Sequence, residues 1–245
     1  GGSALMHRAF REGRRVFVSR PVNHFALHED ATHSWLMAGG IGVTPMIAMA
    51  HRLHALGKPF DFHYSAASRK TAGFLRDLAE APWGHRVQYH FKDEGQRADL
   101  MQLLPDFGLG QHVYTCGAPR FMDGVFEAAT VHGWPQDALH REYFSVPEAD
   151  AWVNQPFELL LQKSGRRLQV PAERSATEVL AEAGVGVSVK CSDGLCGVCA
   201  LPYDAQASDA VEHRDFVLSQ KERQQKIILC CSRAQHAGGV ITLNL

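Results

Sequence analysis

The chain has almost no net charge, no long apolar run and few cysteines outside its last quarter, and each shortage excludes something. Its 25 lysines and arginines nearly balance 26 aspartates and glutamates, leaving −1 at neutral pH. It therefore has neither the basic field that attracts nucleic acid nor an acidic tail. No stretch approaches the ~20 apolar residues that a membrane-spanning helix needs. The N-terminus lacks the charged-then-apolar order of a secretory signal, so the expected location is the cytoplasm, with no membrane or nucleic-acid partner. Internal repeats and low-complexity tracts are absent too. What is present, 45% hydrophobic and 21% charged residues over 245 positions, suffices for two ordinary globular domains. Five of the six cysteines fall in the last 55 residues. A disulfide scaffold would spread them through a small secreted domain, whereas close spacing in a reducing compartment reads as metal ligation.

Periodicity divides the chain. Two strand-like runs near the N-terminus, Arg15–Ser19 and Asn23–Leu27, are too little to bury a core alone. From Ser34 strands and helices alternate. Strands are predicted at 34–38, 60–65, 86–91, 112–116 and 139–144. Helices are predicted at 45–56, 71–81, 99–104 and 119–131. That alternation argues for a doubly wound parallel sheet. Ser145–Gln155 is polar, carries Pro147 and reads as a linker. Beyond it the pattern becomes a small α+β domain, with strands at 157–162, 167–170 and 239–245 and a helix at 176–183.

Cys191, Cys196 and Cys199 stand in C-x4-C-x2-C order, the plant-type [2Fe–2S] spacing, which needs a distant fourth cysteine. Gly194 and Gly197 let the loop curl around a cluster and aim N–H groups at its sulfurs. A zinc knuckle would show two short Cys-x-x-Cys pairs, or histidines at the second hook. The fourth ligand is Cys230 or the adjacent Cys231, and spacing does not choose between them.

A second constellation is Ala38-Gly-Gly-Ile-Gly-Val-Thr-Pro45, between a strand and a helix. Gly39, Gly40 and Gly42 allow close approach to a pyrophosphate. Thr44 suits an N-cap and Pro45 the first helical position. It is not the G-x-G-x-x-G fingerprint. Tyr114–Pro119, containing Cys116 and Gly117, forms another strand-to-helix switch. Ser68 and Arg69 follow the second strand, where a ribose would be read, and with Lys70 could meet a 2′-phosphate or simply be solvated. NADH and NADPH both stay open.

Residues 183–245 resemble the ferredoxin domain of the phthalate dioxygenase reductase-type family. That family has a C-x-S-R element whose first cysteine is the ligand, matched by Cys230-Cys231-Ser232-Arg233. The resemblance thus implies Cys230 as fourth ligand and Cys231 as a small packed residue. It extends over the whole chain. It implies pyrophosphate binding at Gly39–Pro45 and a nicotinamide site walled by Cys116, which a small core residue would also explain. It further implies an N-terminal FMN barrel. Gly1, Gly2 and Ser3 resemble the end of that barrel's FMN-phosphate motif, though an artificial linker would read alike, and Gly13–Leu27 resembles its last strands. Phe144 stands where the family has an aromatic beside the flavin, with packing as the other reading.

The expected architecture is therefore a barrel remnant at 1–30, an NAD(P)-binding α/β domain at 31–146 and a β-grasp-like ferredoxin domain at 156–245. A nicotinamide gives two electrons as hydride and a [2Fe–2S] centre takes one, so the two sites together imply a flavin. The resemblance implies an NAD(P)H-dependent reductase that feeds a terminal oxygenase, either a Rieske protein or a cytochrome P450 haem domain. The fragment by itself is expected to be inactive for want of most of the flavin barrel. The rival class is a non-enzymatic [2Fe–2S] carrier whose α/β domain binds a partner.

Overall fold

The computed structural model describes residues 2–18, 20–21, 23–146 and 152–245. Five strands, β1 (His33–Gly39), β2 (Phe60–Ala66), β3 (Val87–Phe91), β4 (Gln111–Cys116) and β5 (Leu139–Glu142), form an all-parallel sheet in the order β3-β2-β1-β4-β5. Both faces are covered, as a parallel sheet requires. Successive side chains of β1 point to opposite faces. Leu36 and Ala38 meet helix α2 (Val43–Ala55), which buries Val43, Met46, Met49, Ala50 and Leu53 at helical spacing. Met37, on the other face, packs with Val125, Ala128 and Ala129 of helix α5 (Pro119–Val131), which follows the short α4 (Leu100–Leu103). Each such fully buried large side chain contributes about 1.5–3 kcal/mol. The order reverses between β1 and β4, so the crevice for a ligand opens outside the C-terminal ends of those strands.

Three local expectations are corrected. Thr44 is not an N-cap. A 3₁₀ turn over Gly40–Gly42 runs straight into α2, the cap position is Gly42, and the Thr44 hydroxyl donates to the Ile41 carbonyl at 3.1 Å. Pro45 accordingly sits at the third helical position, still within the turn whose N–H groups lack helical partners. The helix expected from Thr71 begins later, as α3 (Leu75–Glu80), because Phe74 is left-handed at φ 62° and Ser68 ties Thr71 into a turn.

The third correction concerns the N-terminal segment. Gly2–Ala9 is a helix, α1, and no strand forms among the described residues of 10–32. Gly1, Ser19 and Val22 lie outside the described residues, as do 147–151 of the expected linker. A strand needs a lateral hydrogen-bonding partner, and none of the strands here pairs with this segment. Its last residues meet the sheet instead, with Phe25 buried and the His28 N–H donating to the Tyr114 hydroxyl at 2.8 Å.

In the C-terminal region, β6 (Phe157–Leu161) and β7 (Arg166–Val170) form a hairpin, and β12 (Val240–Leu243) joins β6 in parallel. Helix α6 (Ala176–Glu182) is started by a capping box between Ser175 and Glu178 and packs Ala176, Val179 and Leu180 onto this sheet. Two small antiparallel ladders follow, β8 (Ala200–Pro202) with β10 (Lys226–Ile228) and β9 (Val211–Glu212) with β11 (Arg233–Ala234). Arg233 is only 4% exposed and donates to the carbonyls of Gln155, Arg174 and Pro171 at 3.0, 2.8 and 2.7 Å. No helix among the described residues is long and apolar enough to cross a membrane.

Candidate functional site

A cleft of about 800 Å³ opens at the C-terminal edge of the five-stranded sheet. Of the residues singled out from the sequence, Gly39, Gly40, Gly117 and Phe144 line it. Gly42 does not, but it lets the two loops close. A Cβ there would stand 2.1 Å from the Cys116 carbonyl oxygen, so any side chain would push β1 and β4 apart. Phe144 is half exposed, and its neighbour Tyr143 also faces the cleft. The Cys116 side chain lies in the core beside Leu36, Ala38 and Val43, not in the cleft. Burial, aided by the Glu142 carboxylate, pushes its pKa up to about 12, so the thiol stays neutral.

Ser68 and Arg69 lie outside the cleft lining. Ser68 is engaged with Thr71, and Arg69 donates to both carboxylate oxygens of Glu94 at 2.6 and 3.3 Å. The cations that do line the cleft are Lys92, Arg97 and Arg120, which sequence reading passed over. Lys92 directly follows β3 and Arg120 begins α5. A rule that inspects every residue just past the C-terminal end of a strand in an open α/β sheet would have found the first.

The second site is the loop from Cys191 to Cys199. Gly194 and Gly197 are left-handed at φ 71° and 66°. A Cβ on Gly194 would stand 2.7 Å from the Cys231 sulfur. The Cys191 thiol faces that of Cys196, and the Cys199 thiol faces that of Cys230, which also meets its neighbour Cys231. Burial disfavours a Cys191 thiolate. N–H donors of Asp193, Leu195 and Cys196, with the Cys196 thiol, outweigh it and lower the Cys191 pKa. The Gly194 N–H likewise faces the Cys230 sulfur. Cys231 points instead to the Ile228 carbonyl and the Ser232 hydroxyl, each 3.9 Å away.

A zinc ion would draw its thiolates within about 4 Å of one another, given Zn–S bonds of ~2.3 Å. Among the described residues the one group of three such ligand atoms lying within 4.8 Å of one another is His28, His112 and His140. The C-x4-C-x2-C spacing of the loop, with Cys230 facing Cys199, fits a two-iron centre. The histidines are a packing motif. His28 and His112 stack at 4.3 Å with ring planes 5° apart, so their in-plane nitrogens run side by side and do not converge on one point. His112 Nδ1 lies 2.9 Å from His140 Nε2.

Behind the loop, Asp215 Oδ2 accepts N–H bonds from Val217 and Leu218 at 3.2 and 2.8 Å, and Arg223 donates to its carbonyl at 2.6 Å. Burial opposes its ionisation. The His213 ring, the Leu218 N–H and the Arg223 charge outweigh that and hold its pKa below the usual carboxylate value. Asp215 thus organises the turn behind the cysteine loop.

Comparison with known proteins agrees with this geometry. Residues 16–139 match the family model described as dimethylamine monooxygenase subunit DmmA-like, N-terminal domain, and residues 159–235 match the 2Fe-2S iron-sulfur cluster binding domain. The chain is 37% identical to the vanillate O-demethylase oxidoreductase of Pseudomonas sp. over 99% of its own length and 77% of that protein's. It is 37% identical to the phthalate dioxygenase reductase of Burkholderia cepacia, covering 99% and 75% respectively. Among solved structures, an intact type IV self-sufficient cytochrome P450 monooxygenase superposes over the whole chain with a TM-score of 0.86 at 37% identity, the chain spanning 32% of that longer polypeptide. The phthalate dioxygenase reductase structure, titled as a modular structure for electron transfer from pyridine nucleotides to [2Fe-2S], superposes over 91% of the chain with a TM-score of 0.56 at 35% identity. The α/β sheet, the cysteine loop and these likenesses together place the chain in the phthalate dioxygenase reductase family, NAD(P)H-dependent oxidoreductases with FMN and a [2Fe–2S] cluster that serve as reductase components of oxygenase systems.

Proposed function

We propose that this chain conducts electrons from a nicotinamide nucleotide held in the sheet-edge cleft to a [2Fe–2S] cluster held by Cys191, Cys196, Cys199 and Cys230. The observation that carries the reading is the Cys191–Cys199 loop, turned by left-handed Gly194 and Gly197 so that the Asp193 N–H donates to the Cys191 sulfur at 3.4 Å, with Cys230 facing Cys199. Such an N–H offsets the charge of a thiolate and of a cluster's sulfides. Gly39 and Gly40 offer backbone to the pyrophosphate, Gly42 keeps that loop closed, and the N-terminal turn of α2, with Thr44 and Pro45, contributes its helix dipole. Gly117 brings the β4 loop to the nicotinamide side, and Phe144 offers an aromatic wall to the flavin. Cys116 shapes that end of the cleft from below, as a neutral buried thiol and not a nucleophile. Gly1, Gly2 and Ser3 remain the residues proposed for the FMN phosphate, Gly1 lying outside the described residues. When bound, the flavin turns hydride transfer into single-electron delivery.

The acceptor we infer is a terminal oxygenase, supported by the likeness to an oxidoreductase of vanillate O-demethylase, to phthalate dioxygenase reductase and to a self-sufficient cytochrome P450 monooxygenase. The test is iron and sulfide analysis of anaerobically purified protein. About two irons per chain with visible charge-transfer absorption is the expected result. Stoichiometric zinc without such absorption would overturn the reading.

A further inference from the structure

The cleft carries positive charge that the fold does not consume. Lys92, Arg97 and Arg120 line it, and no aspartate or glutamate does. Among the described residues none of the three takes part in an ion pair. Lys92 and Arg97 are exposed. Glu94, two residues past Lys92, has its charge offset by Arg69, whose guanidinium also lies 4.5 Å above the Phe91 ring.

Topology says which part of a ligand each cation meets. Gly39 and Gly40 follow β1 at the centre of the sheet, with Gly117 and Arg120 beyond β4 and Tyr143 and Phe144 beyond β5. Lys92 follows β3, on the other flank, two strands or about 10 Å from β1. A dinucleotide laid across this edge with its pyrophosphate on the central glycines sends its two nucleosides to opposite flanks. The aromatic flank at β5 suits the ring that exchanges hydride. The adenosine then runs past Ser65 and Ala67 at the end of β2 toward Lys92 and Arg97. A carboxylate at the adenosine ribose binds its hydroxyls and repels a 2′-phosphate, while cations there do the opposite. This flank has two free cations and no carboxylate in its lining. Resting on the nucleotide-binding reading above, we propose that Lys92 and Arg97 bind the 2′-phosphate of NADPH and make NADPH, not NADH, the preferred electron donor.

The test compares ligands that differ only by that phosphate. Calorimetric titration of the intact chain with 2′,5′-ADP and with 5′-AMP is expected to show the former binding about tenfold tighter or more, since hydrogen bonds to a charged group are worth ~1.5–3 kcal/mol. NADPH and NADH, followed by quenching of tryptophan emission, should differ in the same sense. Lys92→Gln and Arg97→Gln remove charge at exposed, unpaired positions, so the fold is retained, and each should cut the ratio of the two affinities by about tenfold. Equal affinities in the native chain would overturn the proposal. So would substitutions that weaken NADH and NADPH alike, because the cations would then belong to the pyrophosphate. If none of the four ligands binds, the nucleotide reading itself falls, and this proposal with it.

Discussion

Replacing Gly194 by alanine tests how the cysteine loop is held. Two costs are separable. The backbone at φ 71° is left-handed, which an alanine adopts at about 1–2 kcal/mol. The new methyl would also stand 2.7 Å from the Cys231 sulfur and 3.2 Å from the Asp215 Cα. Relieving that contact moves the Cys230–Cys231 segment at a cost of about 1–3 kcal/mol. A domain of this size loses about 4–8 °C of melting midpoint per kcal/mol. Gly194→Ala is therefore expected to lower the temperature at which the visible cluster band bleaches by roughly 8–40 °C. Cys231→Ala shortens the obstructing side chain by its sulfur. The double variant should recover the contact share and keep the backbone share, ending roughly 5–15 °C below the native chain. A Gly194→Ala chain that bleaches at the native temperature would refute the backbone argument. A double variant no better than the single one would refute the placement of Cys231 against Gly194.

Three further outcomes follow from the same structure. Cys230→Ser should abolish the normal cluster spectrum and Cys231→Ser leave it nearly intact, because it is Cys230 that meets Cys199; the reverse spectra would reassign the ligand. Arg233→Met should destabilise the C-terminal region by about 3 kcal/mol, since three backbone carbonyls lose their buried donor; a bleaching midpoint equal to the native one would show that water replaces the guanidinium at no cost. Burial, with neighbouring histidines second, lowers His63 to about 4 and His140 to about 3, so both fold as neutral rings. The unfolded chain binds their protons below about pH 6.5, so their stabilising contribution is complete above that value and is lost as pH falls toward 4. The thermal midpoint of tryptophan emission should drop between pH 7 and pH 5, and a flat profile would contradict the burial of these rings.

What could be read from the sequence was whatever local chemistry dictates. Pro119 and Gly133 bracket a helix whose ends the structure puts at Pro119 and Val131, because a proline can start a helix and a left-handed glycine ends one. The cysteine spacing is legible since a two-iron centre demands ligands from one tight loop. The cations of the cleft were missed for the opposite reason. Lys92 opens a single 3₁₀ turn and Arg97 follows it in a loop, too short for any period to show, and only the sheet order brings them to the cleft that Gly39 lines. Arg69 was favoured for its nearness to the second strand, yet Glu94, 25 residues away, neutralises it. Thr44 looked like a cap until the approach of the Cys116 carbonyl set where the turn before α2 lies. The N-terminal runs carry strand composition, with Phe17 and Val18 left almost fully exposed. Composition marks a face that can be paired, and the pairing itself needs a partner strand.

The two sites are tied to each other by contacts that no single motif contains. Tyr143, which lines the cleft, meets Phe216 at 5.0 Å between ring centroids, and the Phe216 N–H donates to the Gly194 carbonyl at 3.1 Å. The end of the α/β sheet thus reaches, through Phe216, the loop that carries Cys191 and Cys196. On the loop's other half, the His24 ring fills the space beside Gly197, where a Cβ would approach it to 2.6 Å. The segment leading into the sheet therefore touches the cysteine loop, and the segment leaving it is joined to the loop by Phe216. Arg214 adds a third restraint by donating to Asn154 at 2.6 Å and to the Val153 carbonyl at 3.2 Å, with its guanidinium 5.0 Å from the Trp152 ring centre. Arg233 binds Gln155 beside it. Residues 152–155 are thus fixed to the C-terminal region and cannot act as a loose tether. An electron carrier gains from the Tyr143–Phe216 contact, because a donor and acceptor held at one separation need no diffusive search at each turnover. The arginine of the C-x-S-R element, far from decorating the ligand, anchors the start of the C-terminal region through the Gln155 carbonyl.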